Sequence, residues 1–231
     1  MNFPDEQKRA AGEAAAELVQ SGMIVGLGTG STAVWFVRAL AFRMETEKLD
    51  VRGVPTSEAT ATLAEVLGIP LLELGSVQID LTVDGADEIG PGLSLIKGAG
   101  AAMLREKLVW EASRRCVVIA DAAKRVPVLG KAVLPIEVAA FGHETTALRI
   151  SDVLAEYDIG VPPRLRIRDG EAVRTDGGNL IYDAACGAIP EPAALADALK
   201  CVTGVVEHGL FLDLADEALI GTEKGVDRLL P

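Results

Sequence analysis

Met23-Ile24-Val25-Gly26-Leu27-Gly28-Thr29-Gly30-Ser31-Thr32 starts as a short apolar run, breaks into spaced glycines and leads into an apolar-periodic segment from Ser31 to Phe42. That order reads as strand, glycine turn and helix. Working outward, the same succession recurs. Upstream, Ala11, Ala14, Ala15, Leu18 and Val19 recur at helical spacing, and Gly22 closes the segment. Downstream come a strand over Val51–Val54, a Thr56-Ser57 turn and a helix stopping at Gly68. A strand over Ile79–Val83 runs into Asp84, and the loop Lys97–Gly100 opens a helix through Ser113. The strand Cys116–Ala120 then ends at Asp121. Strands alternating with helices predict a Rossmann-like α/β fold, a parallel sheet covered by helices.

After Lys131 the pattern changes. Strand Val133–Val138, helix Glu144–Tyr157 and strand Arg164–Arg168 are followed by strand Asn179–Asp183, helix Pro192–Lys200 and strand Val205–Leu212. The order βαββαβ is that of a ferredoxin-like α+β unit. The chain is therefore expected to hold an α/β core of residues 1–131 and 213–231 and a smaller inserted lobe of residues 132–212, with the tail Ala218–Leu230 returning to the core.

Composition narrows the function. At 231 residues and 49% hydrophobic content, the chain needs neither disulfide nor metal to build a core. A net charge of −12 and an isoelectric point near 4.7 argue against binding a nucleic-acid backbone or an anionic membrane. Aromatics at 4% leave little for base stacking. Cys116, Cys186 and Cys201 form no CxxC pair and read as buried thiols of a reducing compartment. Only His143 and His208 are available for a histidine zinc site or a serine-type triad. The charged segment Met1–Val19 lacks a signal-peptide core and no apolar run reaches spanning length, which predicts a cytoplasmic protein.

Four unusual loops are expected at the carboxyl ends of the strands, where open parallel sheets bind ligands: Gly26–Thr32, Asp84–Glu88, Lys97–Gly100 and Asp121–Lys124. The first combines glycines, hydroxyls and a helix start, which suits an anion as well as a plain tight turn. It lacks the Gly-Lys-Ser/Thr of a P-loop and the third glycine of a dinucleotide fingerprint. Asp84, Asp87 and Glu88 crowd carboxylates into five residues, a density that suits a hydroxylated ligand as well as turn capping. Lys97 and Lys124 can offset that charge. Glu106 has only Ala102, Met103, Val109 and Trp110 as helical neighbours. A carboxylate in apolar surroundings has its charged form disfavoured, which moves it towards a general base's working range. A position at the edge of the stripe, reaching water, is the bland alternative.

Together these motifs resemble the ribose-5-phosphate isomerase family, A type. The resemblance also covers Thr82–Ile89, Leu104–Lys107, Leu134–Val138, Thr175–Asn179 and Ala218–Thr222, nearly the whole chain in order. It departs from the family at Ala99, where a third glycine is usual, and at Gly177, where asparagine is common. The resemblance implies an aldose–ketose isomerase that interconverts D-ribose 5-phosphate and D-ribulose 5-phosphate through an enediolate in the non-oxidative pentose phosphate pathway. It implies no nicotinamide or other cofactor, no metal, and a homodimer or homotetramer.

By the same resemblance Glu106 would be the base, Lys97 would stabilise the enediolate oxygen, and Asp84 and Asp87 would orient hydroxyls and assist proton transfer. Substrate binding would fall to Thr29, Gly30, Ser31, Thr32, Asp84, Gly85, Ala86, Asp87, Lys97, Gly98, Ala99, Gly100 and Lys124. The Ser31-Thr32 helix start and Lys124 would take the phosphate. Rival readings are an amino-sugar phosphate deaminase, a coenzyme A transferase and a non-catalytic sugar-phosphate sensor domain, which would bind the sugar without converting it.

Overall fold

The computed structural model describes residues 3–231; Met1 and Asn2, assigned to the core by sequence, lie outside the described residues. The strands in chain order begin with β1 (Ile24–Leu27), β2 (Arg52–Pro55), β3 (Leu81–Gly85), β4 (Glu88–Ile89) and β5 (Leu95–Ile96). They continue with β6 (Cys116–Asp121), β7 (Leu134–Val138), β8 (Arg164–Leu165), β9 (Ile167–Arg168) and β10 (Glu171–Ala172). The last are β11 (Leu180–Ala184), β12 (Val205–His208), β13 (Leu210–Phe211), β14 (Glu217–Thr222) and β15 (Gly225–Leu229). The helices are α1 (Phe3–Ala16), α2 (Ala33–Glu47), α3 (Glu58–Val66), α4 (Met103–Glu111), α5 (His143–Glu156) and α6 (Pro192–Lys200).

The chain divides into two compact units. The first comprises Met1–Ala86, Arg105–Lys124 and Asp213–Pro231. Its sheet runs β15-β14-β6-β3-β1-β2, parallel throughout except for the β14–β15 hairpin at one edge. Every residue of β6 is buried, as expected of a parallel strand covered on both faces. Val25 and Leu27 of β1, Phe36, Val37 and Leu40 of α2, and Val117 and Ile119 of β6 share one core cluster.

The second unit comprises Asp87–Leu104 and Arg125–Leu212. Its four-stranded antiparallel sheet runs β12-β7-β11-β8, which in the order of the lobe's own strands is 4-1-3-2, with α5 and α6 as its helices. Ile136, Val138, Ile150, Leu154, Leu195 and Leu199 form its buried core. This is the split-βαβ arrangement read from the sequence.

The unit also takes in segments outside residues 132–212. β4 and β5 form a hairpin, and β13 pairs with β5, so Glu88–Ile96 belongs to a three-stranded sheet. Residues 125–131 join the unit because Val126 N–H donates to Ile89 O (2.9 Å) and the buried Glu88 carboxylate accepts from Gly130 N–H (2.7 Å) and Ala132 N–H (2.6 Å). Glu88 therefore stabilises backbone.

Two strands expected as continuous are split. Arg164–Arg168 leaves the sheet after Leu165: β8 pairs with β11, while β9 forms a separate hairpin with β10. Val205–Leu212 breaks at Gly209, whose N–H donates to Pro135 O (2.8 Å), so β12 and β13 join different sheets. The Leu134–Val138 and Thr175–Asn179 motifs meet: the fully buried Glu137 accepts from Thr175 Oγ1 (2.8 Å) and Asn179 Nδ2 (2.9 Å). The cysteines are free, but only Cys116 is buried; Cys186 is partly covered and Cys201 is exposed after the last turn of α6.

Candidate active site

The order β2-β1-β3 makes the edge between β1 and β3 the point where the sheet's connections reverse direction, because the chain leaves β1 to one side for β2 and returns on the other for β3. Crevices at such points take ligands in open α/β sheets. Here the loop after β1 meets the end of β3. Asp84, with no exposed surface, accepts the Thr29 N–H on Oδ1 (2.9 Å) and the Gly85 N–H on the same oxygen (2.7 Å). Gly28 permits this approach, since a Cβ there would stand 2.5 Å from the Asp84 Cα. Gly30 turns the loop with φ of +105°, leaving Gly30 and Ser31 exposed at the entrance to α2. Thr32 is buried, and no side chain caps α2 among the described residues. Gly85 lies beside both Thr29 and Thr32, 3.7 Å and 4.0 Å from their nearest atoms when a Cβ is built on it. Ala86 follows, half-buried.

Two cations border the same strand ends. Lys8 of α1 donates from Nζ to Ser31 Oγ (3.1 Å). Lys124 ends the 3₁₀ turn Ala122–Lys124 that follows β6, and the first N–H of that turn donates to Gln7 Oε1 on α1 (3.3 Å). Glu106 is only 4% exposed, on α4, where Met103, Val109 and Trp110 are also buried; Ala102, buried too, lies just before the helix. The apolar stripe expected from the spacing is thus a buried face, and the carboxylate is inside it.

In the second unit, Asp87 and the Lys97–Gly100 loop come together. Asp87 Oδ2 accepts the Ala99 N–H (2.9 Å), and Asp87 N–H donates to Ile96 O (2.8 Å). Lys97 is 2% exposed; its N–H donates to Gly209 O (2.9 Å) and its ammonium stands 5.3 Å from the centre of the Phe211 ring. The loop was expected at the end of a parallel strand, but it leaves β5, a strand of the three-stranded sheet. A two-residue strand carries no periodicity, which is why the sequence did not separate the two sheets. Gly98 (φ +108°) and Ala101 (φ +64°) carry the left-handed backbone, so the extra methyl of Ala99 sits in ordinary conformation. Among the described residues no three His, Cys, Asp or Glu side chains are grouped to hold a metal ion, and no helix is long and apolar enough to cross a membrane.

The model of ribose 5-phosphate isomerase A (phosphoriboisomerase A) matches residues 52–225. The chain belongs to the ribose 5-phosphate isomerase A family. A ribose-5-phosphate isomerase A from Caulobacter sp. (strain K31) is 71% identical over 228 residues, 98% of this chain and 99% of that protein. A solved ribose 5-phosphate isomerase from Plasmodium falciparum is 39% identical with a TM-score of 0.92, over 98% of this chain and 99% of that one. A D-ribose-5-phosphate isomerase solved in complex with phospho-erythronic acid is 36% identical with a TM-score of 0.92, over 100% of both chains.

In this member of the ribose 5-phosphate isomerase A family, three polar residues missed by the sequence reading support the β1 loop. Thr29 Oγ1 lies within hydrogen-bond distance of Thr56 Oγ1 (2.7 Å), Ser57 Oγ (2.8 Å) and Thr60 Oγ1 (3.2 Å). Thr60 Oγ1 donates to Gly28 O (3.0 Å), and Ser57 caps α3 by accepting the Thr60 N–H (3.1 Å). The Thr29 hydroxyl is thus engaged by the β2–α3 turn. The signal was the hydroxyl-rich Thr56-Ser57 turn itself, read only as a connection.

Proposed function

We propose that this chain interconverts D-ribose 5-phosphate and D-ribulose 5-phosphate by acid–base chemistry at a cis-enediolate, with no cofactor or metal. The observation that carries the reading is Asp84, fully buried at the sheet's reversal point with its carboxylate on the Thr29 N–H. From the aldose, Glu106 removes the C2 proton; the freed electron pair forms the C1–C2 double bond, and charge develops on O1. Lys97 stabilises that oxygen. Asp84 and Asp87 orient the hydroxyls and move the proton from O2 to O1, while Glu106 returns its proton to C1.

Gly30, Gly85, Ala86, Gly98, Ala99 and Gly100 let backbone approach the sugar. Thr29 acts by holding its loop. Ser31, Thr32 and Lys124 take the phosphate, where the uncapped start of α2 supplies N–H donors and positive dipole; Lys8 adds a second cation at Ser31. The ligand of one relative, phospho-erythronic acid, supports this reading by its chemistry: its carboxylate sets two anionic oxygens beside a hydroxyl, as a cis-enediolate does. We further propose a cytoplasmic homodimer or homotetramer.

The test is purified protein with ribose 5-phosphate and excess EDTA, following ketose formation. Rapid conversion is expected. Binding by calorimetry without conversion would move the reading to the sensor, and absence of both would move it to the deaminases and transferases.

A further inference from the structure

The Lys97–Gly100 loop is gripped from behind by a pair of side chains that the proposed chemistry does not use. Arg166 lies between β8 and β9, its backbone fixed on both sides: its N–H donates to Ile181 O (2.8 Å) and its O accepts from Val173 N–H (2.9 Å). The guanidinium forks onto the Asp183 carboxylate of β11, with Nε on Oδ2 at 2.8 Å and Nη2 on Oδ1. The remaining nitrogen, Nη1, donates to Gly98 O (2.9 Å) and reaches Ala99 O (3.3 Å). Only 11% of the Arg166 side chain and 23% of the Asp183 side chain are exposed.

These contacts determine the direction of the loop's peptides. Gly98 O also accepts the Ala101 N–H (3.0 Å), closing a turn over residues 98–101. In a trans peptide the C=O and N–H point to opposite sides. With Gly98 O drawn onto the guanidinium, the Ala99 N–H faces the other way and meets Asp87. With Ala99 O drawn the same way, the Gly100 N–H points away from Arg166. The turn cannot relax by shifting Gly98, because a Cβ at its φ of +108° would stand 3.1 Å from Met103 Cε and Pro135 Cγ, so the backbone there is tightly enclosed.

We propose that Arg166, oriented by Asp183, is a positioning residue that aims the backbone donors of the Lys97–Gly100 loop, and through them Lys97, at the substrate. This rests on the isomerase reading, in which that loop carries Lys97. Arg suits the task because its planar fork holds a carboxylate with one edge and keeps a nitrogen for the carbonyls, a geometry lysine does not reproduce. Misplacing a catalytic loop by about 1 Å costs on the order of 10²-fold in rate.

The experiment compares wild type, Arg166→Lys, Arg166→Ala and Lys97→Met. Each is followed by turnover of ribose 5-phosphate, thermal unfolding and amide hydrogen exchange of residues 98–101. Arg166→Ala and Arg166→Lys are expected to fold, to exchange faster at residues 98–101 and to lose roughly 10- to 100-fold in kcat/KM. Guanidinium chloride at tens of millimolar, against sodium chloride as control, should restore part of the Arg166→Ala activity and none of the Lys97→Met activity. Turnover of Arg166→Ala within threefold of wild type, unchanged exchange in the loop, or a loss that guanidinium does not repair would each overturn the proposal. If wild type fails to turn over the sugar while Arg166→Ala still loosens the loop, the isomerase reading fails and the clamp stands.

Discussion

Asp84 carries two duties that a pair of substitutions separates. Its carboxylate is fully buried and accepts the N–H groups of Thr29 and Gly85 at 2.9 Å and 2.7 Å on a single oxygen. Asp84→Asn keeps a carbonyl oxygen at the same place and removes the charge; Asp84→Ala removes the acceptor. A hydrogen bond to a charged group contributes about 1.5–3 kcal/mol, and a buried donor stripped of its partner costs about 1–3 kcal/mol.

For Asp84→Ala, two such bonds give a loss of about 3–5 kcal/mol, whereas Asp84→Asn, weakening both without abolishing them, loses about 1–2 kcal/mol. For a chain of this length each kcal/mol is worth about 2–4 °C, so the alanine variant should melt about 5–10 °C below the asparagine variant. Turnover should fall in both by roughly 10²-fold or more, because neither can exchange a proton with a substrate hydroxyl. Thermal unfolding by circular dichroism and ketose formation from ribose 5-phosphate read the two effects separately. Equal melting temperatures for the two variants would refute the bracing role of the carboxylate. Near-native turnover of Asp84→Asn would refute its part in proton transfer.

Three further outcomes follow from the same geometry. Glu106→Gln should leave KM within a few-fold and lower kcat by roughly 10²-fold or more, as loss of a general base does; unchanged kcat removes Glu106 from the mechanism. Gly28→Ala places a methyl 2.5 Å from the Asp84 Cα, so β1 and β3 must part, costing about 1–3 kcal/mol together with activity; a stable, active variant would show that the strand ends are not in close register. Burial, with the charge of Glu88 adding to it, pushes the Cys186 thiol up to about 11. Below that pH it stays protonated and inert, so iodoacetamide at pH 8 should label the exposed Cys201 well before Cys186, and mass spectrometry of the peptides checks the order.

What was legible in the sequence lies in short-range pattern. The apolar runs Met23–Leu27, stopped by Gly28, and Cys116–Ala120, stopped by Asp121, identify parallel strands, because a strand buried on both faces has no polar residues to alternate; Ile79–Val83 was legible instead by its period-two alternation. Glu106 was also legible from short-range pattern: helical spacing placed it among Ala102, Met103, Val109 and Trp110, and all four are buried, although the helix begins only at Met103. Conversely, the two-residue strands β4, β5 and β13 are too short to show a period, so the hairpin carrying Asp87 and Lys97 was invisible. Cys201 was misread because exposure after a helix end depends on which face the helix packs.

By itself, then, the sequence determined the α/β alternation, the βαββαβ lobe and the glycine, aspartate, lysine and glutamate motifs, since each depends on neighbours a few residues apart. Tertiary structure alone decided that β3 lies against β1, which brings Asp84 to Thr29 across 55 residues of chain. It also decided that Thr56, Ser57 and Thr60 gather on the Thr29 hydroxyl, and that Arg166 closes on carbonyls 67 and 68 residues away. Hydrogen bonds reach only about 3 Å. Their partners are therefore set by strand order and register, which depend on packing across the whole sheet.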